Sequence, residues 1–211
     1  MKPQLGDTIL NRYTLVSSLR EEPGIQAWKA NDRVLAKDCQ LFIITDRSAF
    51  AAIDKLAGRI AATRPDRVIP ILKYRMESDV LLIVMPVDSG QCLTDYMVDT
   101  AKPLSYSAIR SIIGECADVL REVIADTPSG IVITTDTVRV TTSGVQIADA
   151  PCATMLADTS ATDLRTDGPE RYAIRQLAAL LYTLLTRTPS QATPTFQSCV
   201  PCRKTPLANS A

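Results

Sequence analysis

Residues 39–60 read CQLFIITDRSAFAAIDKLAGRI, a strand pattern followed directly by a helical one. The run Cys39–Ile44 is apolar and partly β-branched, which favours a strand. Asp46 and Ser48 are suitable N-caps, and Pro65 ends the helix that follows. Between them apolar residues recur at helical spacing, namely Phe50, Ile53, Ala57 and Ile60. This pattern predicts one helix packed on the sheet that contains the strand.

Short apolar runs on either side of this unit predict the rest of the sheet. Tyr13–Leu19 and Ile25–Asn31 have period-two character and are joined by a turn at residues 20–24, which indicates a hairpin. Val68–Leu72 and Val80–Val87 are two further candidate strands. The first half of the chain is therefore predicted as a five-stranded, largely antiparallel sheet with one helix.

The second half of the chain has a more helical pattern. A long helix is predicted after the N-cap candidate Ser105, and Pro128 and Gly130 end it. Three short strands are predicted next, at Ile131–Ile133, Val138–Thr141 and Val145–Ala148. The whole chain is thus expected to belong to the α+β class.

The last third of the sequence contains a loop pattern, a helix and a tail. Thr154–Gly168 is rich in Thr, Ser, Asp and Ala without a period, which predicts a loop. Ile174–Leu185 is apolar nearly all round, which predicts a helix that is buried on most sides. From Thr188 onward, prolines alternate with Gln, Ser and Thr, which is typical of a disordered tail.

Composition excludes several classes of function. The 211 residues include 23 Lys or Arg, 23 Asp or Glu and no histidine. Without histidine there is no Ser-His-Asp or Cys-His triad and no His-ligated metal site. Zero net charge gives no long-range attraction to nucleic acids, which favour an excess of basic residues.

Targeting features and cysteine usage predict a cytoplasmic protein with reduced thiols. The first ten residues lack the apolar core of a secretory signal. The longest apolar run, Val80–Val87, is far shorter than the roughly 20 residues needed to cross a bilayer. Cys39, Cys92, Cys116 and Cys152 are single residues, as expected for buried thiols. The Cys199–Cys202 pair has no second Cys pair or histidine to complete a zinc site.

The order of these elements resembles the protein kinase fold, most closely that of bacterial Ser/Thr kinase-like domains, over about residues 5–190. The resemblance implies a two-lobe fold, with an N-lobe at 1–87, a truncated and mainly helical C-lobe at 88–190, and a disordered tail at 191–211. The segments that carry it are similar to the opening strand, the second strand with its turn, the joint between the lobes, the strand pair before the DFG motif and the central lower-lobe helix. They are Asn11–Leu15, Ala27–Asp32, Val84–Gly90, Thr137–Asp149 and Ala179–Thr186.

The sequence departs from the family at its catalytic positions. Arg20, Glu22 and Ile25 stand where a kinase has the glycines that let its backbone approach the phosphates. Phe42 stands at the phosphate-pairing lysine, and the lysine's carboxylate partner would fall near Asp54 or Lys55. The HRD motif, the metal-binding Asn and the DFG motif correspond to Gly130-Ile131-Val132, Thr137 and Asp149-Ala150-Pro151.

These departures imply a pseudokinase without catalytic residues. Phosphoryl transfer depends on the lysine, the base and the metal ligands together. The degenerate nucleotide pocket that the resemblance implies would be formed by Ala27, Lys29, Met85, Val87 and Asp149, with Asp149 as the one metal-ligand candidate. No cofactor is required, although ATP with magnesium stays open as a ligand.

Two displaced groups and two other functions stay open as alternatives. Lys29 lies on the same strand face as Ala27 and is a substitute for the lost lysine, while Asp136 is a displaced carboxylate if the alignment is gapped there. The chain would then be an ATP-binding, weakly active kinase-like enzyme. A degenerate remnant without function is the remaining alternative.

The leading hypothesis is a regulatory protein-interaction module. The loop that corresponds to the activation segment offers four candidate phosphoacceptors among acidic residues, Thr154, Thr159, Thr162 and Thr166. The chain resembles kinase-like domains linked to actinobacterial cell-wall lipid flippases, which implies an upstream Ser/Thr kinase, a forkhead-associated partner and a location at the inner face of the membrane through a partner. The later helices of a kinase lower lobe are absent, so apolar faces of the Ile174–Leu185 helix are expected to be uncovered.

Overall fold

The structure is a computed structural model that describes residues 3–77, 79–99, 103–126, 131–153 and 161–187. It has an α+β architecture, as predicted. Its strands are β1 (Thr8–Ile9), β2 (Tyr13–Glu22), β3 (Ile25–Asp32), β4 (Lys37–Ile44), β5 (Lys73–Met76), β6 (Leu81–Pro86), β7 (Gln91–Cys92), β8 (Val138–Thr141) and β9 (Gly144–Ile147). Its helices are α1 (Phe50–Thr63), α2 (Leu93–Asp99), α3 (Tyr106–Asp126) and α4 (Ala161–Thr186), with a 3-10 turn at Arg47–Ala49.

The larger sheet is antiparallel and has six strands in the order β1-β2-β3-β4-β6-β5. The sequence predicted five, and two of the six observed strands were not among them, the short β1 and β5. The predicted strand at Val68–Leu72 is wrong, because Pro70 has no N–H to donate to a ladder. Instead, Ile69 N–H donates to Ile147 O at 2.9 Å, and the strand begins at Lys73.

The β2–β3 hairpin has a tighter turn than the sequence suggested. β2 continues through Glu22, and the turn is formed by Pro23 and Gly24 alone. Gly24 has φ +80°, and a Cβ atom there would lie 2.7 Å from Cβ of Asp46. Glycine is therefore required at this position both for its backbone conformation and for the close approach of Asp46.

Helix α1 packs on the sheet as the spacing of its apolar residues predicted. Its buried residues Ile53 and Ala57 join a cluster with Ala27, Phe42 and Ile83, which are neighbours in one row across β3, β4 and β6. Asp46 accepts a hydrogen bond from Ser48 N–H at 2.9 Å and so caps the 3-10 turn before the helix. The apolar residues on the other face of the curled sheet pack against one another, among them Tyr13, Leu15, Trp28, Leu41 and Val84.

Helix α3 supplies most of the second core. Ser105 Oγ accepts a hydrogen bond from Ala108 N–H at 3.2 Å, which confirms the predicted N-cap. The buried face of α3 packs against β8, β9 and α4, with Ile109, Ile112, Cys116, Val119, Leu120 and Val123 in the cluster. Ile131 and Ile133 belong to the same core, but the segment 131–133 forms no strand, which corrects the prediction. The segment is held by a side chain instead, because Gln176 bonds to its backbone.

Helix α4 differs from the prediction in two ways. Residues 161–167 are helical although the sequence predicted a loop there, and Gly168, with φ 74° and ψ 161°, separates them from the longer segment that begins at Pro169. Proline is well tolerated in a first helical turn. The longer segment is not buried on most sides, since Ile174 is 66% exposed and Leu185 is 50% exposed. Residues 154–160 and the predicted tail at 191–211 lie outside the described residues.

Candidate functional site

The candidate site lies where the second core meets the larger sheet. Strand β8 contributes Arg139, the segment after β6 contributes Asp88, and Asp149 follows β9 by two residues. Gln40 reaches the same place from β4. These four residues come from separate parts of the chain: Asp88 and Asp149 meet at the guanidinium group of Arg139, and Gln40 contacts Asp149.

Arg139 is the centre of this cluster. Its Nε atom donates to Oδ2 of Asp88, its Nη1 atom donates to the backbone oxygen of Asp136, and its Nη2 atom lies 3.9 Å from Oδ2 of Asp149. The side chain is 13% exposed. Burial alone would lower the pKa of Arg139. The carboxylates of Asp149 and Asp88 outweigh this effect, so the pKa of Arg139 lies above its ordinary value. Arg139 is therefore a fixed positive charge.

Asp149 is less well compensated than its neighbour Asp88. Its side chain is 10% exposed, and its remaining contact is a long hydrogen bond of 3.5 Å from Gln40 Nε2 to Oδ1. Burial raises the pKa of Asp149, and Arg139 offsets this only in part because its shorter contact is with Asp88. Ionised Asp149 thus carries a desolvation cost in the folded protein.

Gly90 sets the distance between the Asp88 segment and β8. A Cβ atom at residue 90 would lie 2.7 Å from Cβ of Arg139 and 3.1 Å from the backbone oxygen of Val140. Only glycine lets the two backbones approach this closely. The approach keeps Asp88 within reach of the Arg139 guanidinium.

Of the predicted pocket residues, the structure places Lys29 and Met85 in one row across the sheet. Both are register partners of Gln40, on opposite sides of β4. Ala27 lies two residues from Lys29 on β3 and is buried, whereas Val87 is 44% exposed. Lys29 Nζ forms an ion pair with Asp38 at 2.8 Å, on the same sheet.

Several positions that the sequence resemblance compared with kinase catalytic residues are engaged in packing or in local hydrogen bonds. Phe42 is fully buried in the cluster beneath α1. Thr137 Oγ1 donates to Val132 O and accepts from Thr134 N–H, both at 2.9 Å. Asp136, the displaced-carboxylate alternative, accepts a hydrogen bond from Thr94 Oγ1 at 2.7 Å.

The β2–β3 turn has none of the openness of a glycine-rich loop. Arg20 Nε lies 3.7 Å from Oε1 of Glu22, and Ile25 is buried in the sheet core. Side chains with these contacts stand where the resemblance would require bare backbone.

Among the residues that the structure describes, no three Cys, Asp or Glu side chains are grouped so that they could hold a metal ion. Within the same residues, no helix has the length and apolar character needed to span a bilayer.

The four described cysteines carry free thiols, as predicted. Cys39, Cys116 and Cys152 are buried, and Cys92 is partly buried. Burial raises the pKa of Cys39 to about 11 and that of Cys116 to about 12. Cys199 and Cys202 lie outside the described residues.

The candidate phosphoacceptors divide into two pairs. Thr154 and Thr159 lie outside the described residues, and Thr162 and Thr166 lie on the first helical segment of α4.

Sequence reasoning named Asp149 but missed Arg139, Asp88 and Gln40. Arg139 stands between two valines in a short strand, at residues 138–140, and this alternation predicts a side chain on the solvent face. The pattern therefore did not indicate that Arg139 is buried. The partners themselves had no local signal, since Asp88 is 51 residues away from Arg139.

Comparisons with known proteins do not assign the chain to a family. No protein-family model matches the sequence, and no curated protein matches it. Function is therefore inferred from the residues and their contacts. The cluster can hold its carboxylates around a permanent cation, and within it no group is placed as a nucleophile beside a base.

Proposed function

We propose that this protein is a catalytically inactive kinase-like domain, a pseudokinase, that acts as a regulatory protein-interaction module. The order of its elements supports a kinase-like interpretation. The single observation that carries the loss of activity is the position of Arg139, between the segment that would join the lobes and the residue that would hold magnesium.

Arg139 provides the positive charge beside Asp149 that magnesium would provide in a nucleotide complex. Magnesium binding by Asp149 requires its carboxylate to face a divalent cation and phosphates. Here the carboxylate faces a guanidinium 3.9 Å away, and the same guanidinium is held by Asp88. Binding of Mg-ATP would have to break this buried ion pair or add a second cation beside it.

We also propose that no residue replaces the phosphate-pairing lysine or the metal-binding asparagine of a kinase. Phe42 is part of the core, and Lys29 is paired with Asp38 on the sheet. Thr137 holds its own loop through its hydroxyl group. The loss of several cooperating groups leaves no set that could position and activate a γ-phosphate.

Thermal unfolding with millimolar Mg-ATP tests this proposal. A ligand at 100 times its Kd stabilises by about 2.7 kcal/mol, which raises the Tm of a chain of this size by roughly 5–10 °C. We expect no rise in Tm and no transfer of labelled phosphate to a generic substrate, with an active bacterial Ser/Thr kinase as the positive control. A reproducible rise in Tm, or phosphate transfer that Asp149→Asn abolishes, would show an active or nucleotide-dependent protein.

In the proposed interaction role, phosphorylation on the Thr-rich segment creates the binding signal. A phosphate adds a charge of about −1.5 to −2 and strong acceptor oxygens that arginines of a forkhead-associated domain can read. An upstream Ser/Thr kinase would modify Thr154, Thr159, Thr162 or Thr166 and so bring the protein to a partner at the inner face of the membrane.

Mass spectrometry after incubation with an active bacterial Ser/Thr kinase tests the phosphorylation part separately. We expect phosphate on at least one of the four threonines, and binding of a forkhead-associated domain only after modification. The matched control replaces all four by alanine and leaves Thr63 and Thr186, which are hydrogen-bonded to helix carbonyls, unchanged. Absence of phosphate from residues 154–166 would end this part of the proposal.

A further inference from the structure

Helix α4 presents an apolar stripe to solvent on the side away from the core. The stripe consists of Ile174, Ala178, Leu181 and Leu185, all of them exposed. Ile174 is 66% exposed, Leu181 38% and Leu185 50%. Their spacing of four, three and four residues places them in one line along three turns of the helix.

The opposite side of the same helix is firmly packed, so the stripe has a defined orientation. Ala173, Leu180 and Leu184 are buried in the core with α3. Gln176 is also buried and bonds to the backbone of Ile131 and Ile133. The stripe is therefore a fixed surface on a rigid element, and it is larger than a single exposed apolar side chain.

The stripe is self-complementary when read in the opposite direction. The spacing four-three-four is the same from either end, so an antiparallel second copy brings Ile174 opposite Leu185 and Ala178 opposite Leu181. The Ala178–Leu181 pair brings a small residue against a large one, which favours close helix packing, and the Ile174–Leu185 pair adds an apolar contact between two large residues. A two-fold axis makes both pairs occur twice.

The flank of the stripe supports the same arrangement. Arg175 and Tyr182 are exposed and lie two turns apart on the same side of the stripe. In the antiparallel pair, Tyr182 of one copy lies within about one turn of Arg175 of the other. A guanidinium over a tyrosine ring is a favourable cation–π contact.

From these observations we propose that the exposed stripe of α4 is a docking surface for a second copy of this chain, in antiparallel orientation. The inference does not depend on the kinase-like interpretation. Ile174 to Leu185 spans only about 17 Å of helix. The contact is thus smaller than the roughly 800 Å² per partner of a standard interface, so the dimer is weak and depends on concentration.

Sedimentation velocity of the full chain from about 5 µM to about 500 µM tests the proposal, because a weak dimer dissociates in this range. We expect the weight-average mass to rise with concentration from the 23.0 kDa of one chain towards twice that value. Leu181→Glu and Leu185→Glu should each keep the mass at that of one chain. Leu72→Glu is the matched control, because Leu72 is an equally exposed leucine, at 59%, far from the stripe in sequence.

Exchanging the large and the small residue of the Ala178–Leu181 pair distinguishes this pairing from non-specific association. Ala178→Leu places two large residues opposite each other and should weaken the dimer, and the double variant Ala178→Leu with Leu181→Ala should restore it. Circular dichroism and Tm verify that the variants fold. A constant mass of one chain up to the highest concentration, or self-association that Leu72→Glu abolishes and Leu181→Glu does not, would overturn the proposal.

Discussion

The Nη2 atom of Arg139 lies 3.9 Å from Oδ2 of Asp149, and the same guanidinium donates from Nε to Asp88. One side chain of β8 thus connects the residue after β9 to the segment after β6. The cluster is almost closed to solvent, since the exposed fractions of the three side chains lie between 10% and 24%.

Replacement of Arg139 by leucine should lower the stability of the protein strongly. The variant leaves the carboxylates of Asp88 and Asp149 close together without the cation that they share. Removal of one partner from a buried ion pair typically costs about 3–5 kcal/mol, which corresponds to a fall in Tm on the order of 10 °C. Urea or thermal unfolding followed by circular dichroism measures the effect.

Arg121→Leu is the matched control for this variant. Arg121 pairs with Asp118 on α3 at 2.7 Å, but their side chains are 81% and 61% exposed. Exposed pairs contribute little, so the Tm should change by no more than about 2 °C. Equal effects of the two variants would mean that the Arg139 cluster does not hold the fold together.

Asp149→Asn should stabilise the protein at neutral pH. The pKa of Asp149 is raised in the folded state by burial, so stability falls as the pH rises from the unfolded pKa through the folded pKa, and the full cost is present above it. The asparagine variant has no such cost, and its Tm should exceed that of the wild type at pH 7–8. The difference should shrink as the pH falls through the raised folded pKa, because Asp149 of the folded wild type then binds its proton and no longer carries the desolvation cost.

Thermal unfolding of both proteins across this pH range measures the effect. Asp118→Asn serves as the control because Asp118 is exposed on α3. A variant that is less stable than the wild type at pH 7–8, with the gap closing at low pH, would mean that Arg139 compensates Asp149 fully and that the pKa is lowered.

Gln176→Leu should destabilise the fold although it adds an apolar side chain to an apolar core. Gln176 Oε1 accepts from Ile133 N–H, and its Nε2 donates to Ile131 O at 3.3 Å. Leucine would leave both buried backbone groups without these partners, at a cost of about 1–3 kcal/mol for each unsatisfied group.

Chemical denaturation measures this loss, with Gln146→Leu as the control because Gln146 is a partly exposed glutamine on β9. Hydrogen exchange adds a local readout, since protection of the Ile133 amide should fall in the Gln176 variant and persist in the control. Unchanged protection would show that Gln176 does not hold the 131–133 segment.

The buried thiols should resist modification in the folded protein. Cys39 and Cys116 are 4% and 0% exposed, and burial raises the pKa of their thiols to about 11 and about 12. The reactive thiolate is therefore scarce at pH 8 and shielded from reagent. Peptide-level mass spectrometry after alkylation should find both residues labelled only in urea, with glutathione as the reactivity standard. Labelling in native buffer at the rate seen in urea would contradict the buried placement.

Elements with strong local patterns were the ones that could be predicted. Cys39–Ile44 and Phe50–Ile60 lie within β4 and α1, and the cap at Ser105 begins α3. Strand periodicity failed where a backbone donor is missing, as at Pro70. It also failed at 131–133, where the hydrogen-bond partner is the side chain of Gln176 and not a neighbouring strand.

The sequence by itself determined the elements with strong local patterns, such as β4, α1 and the start of α3, because the apolar period and the caps act over a few residues. It also established that the chain has no histidine. The tertiary structure alone decided that Arg139 meets Asp88 and Asp149, since a long-range ion pair leaves no local pattern. It likewise decided that one side of α4 stays exposed, because burial of an apolar helix depends on which elements pack against it.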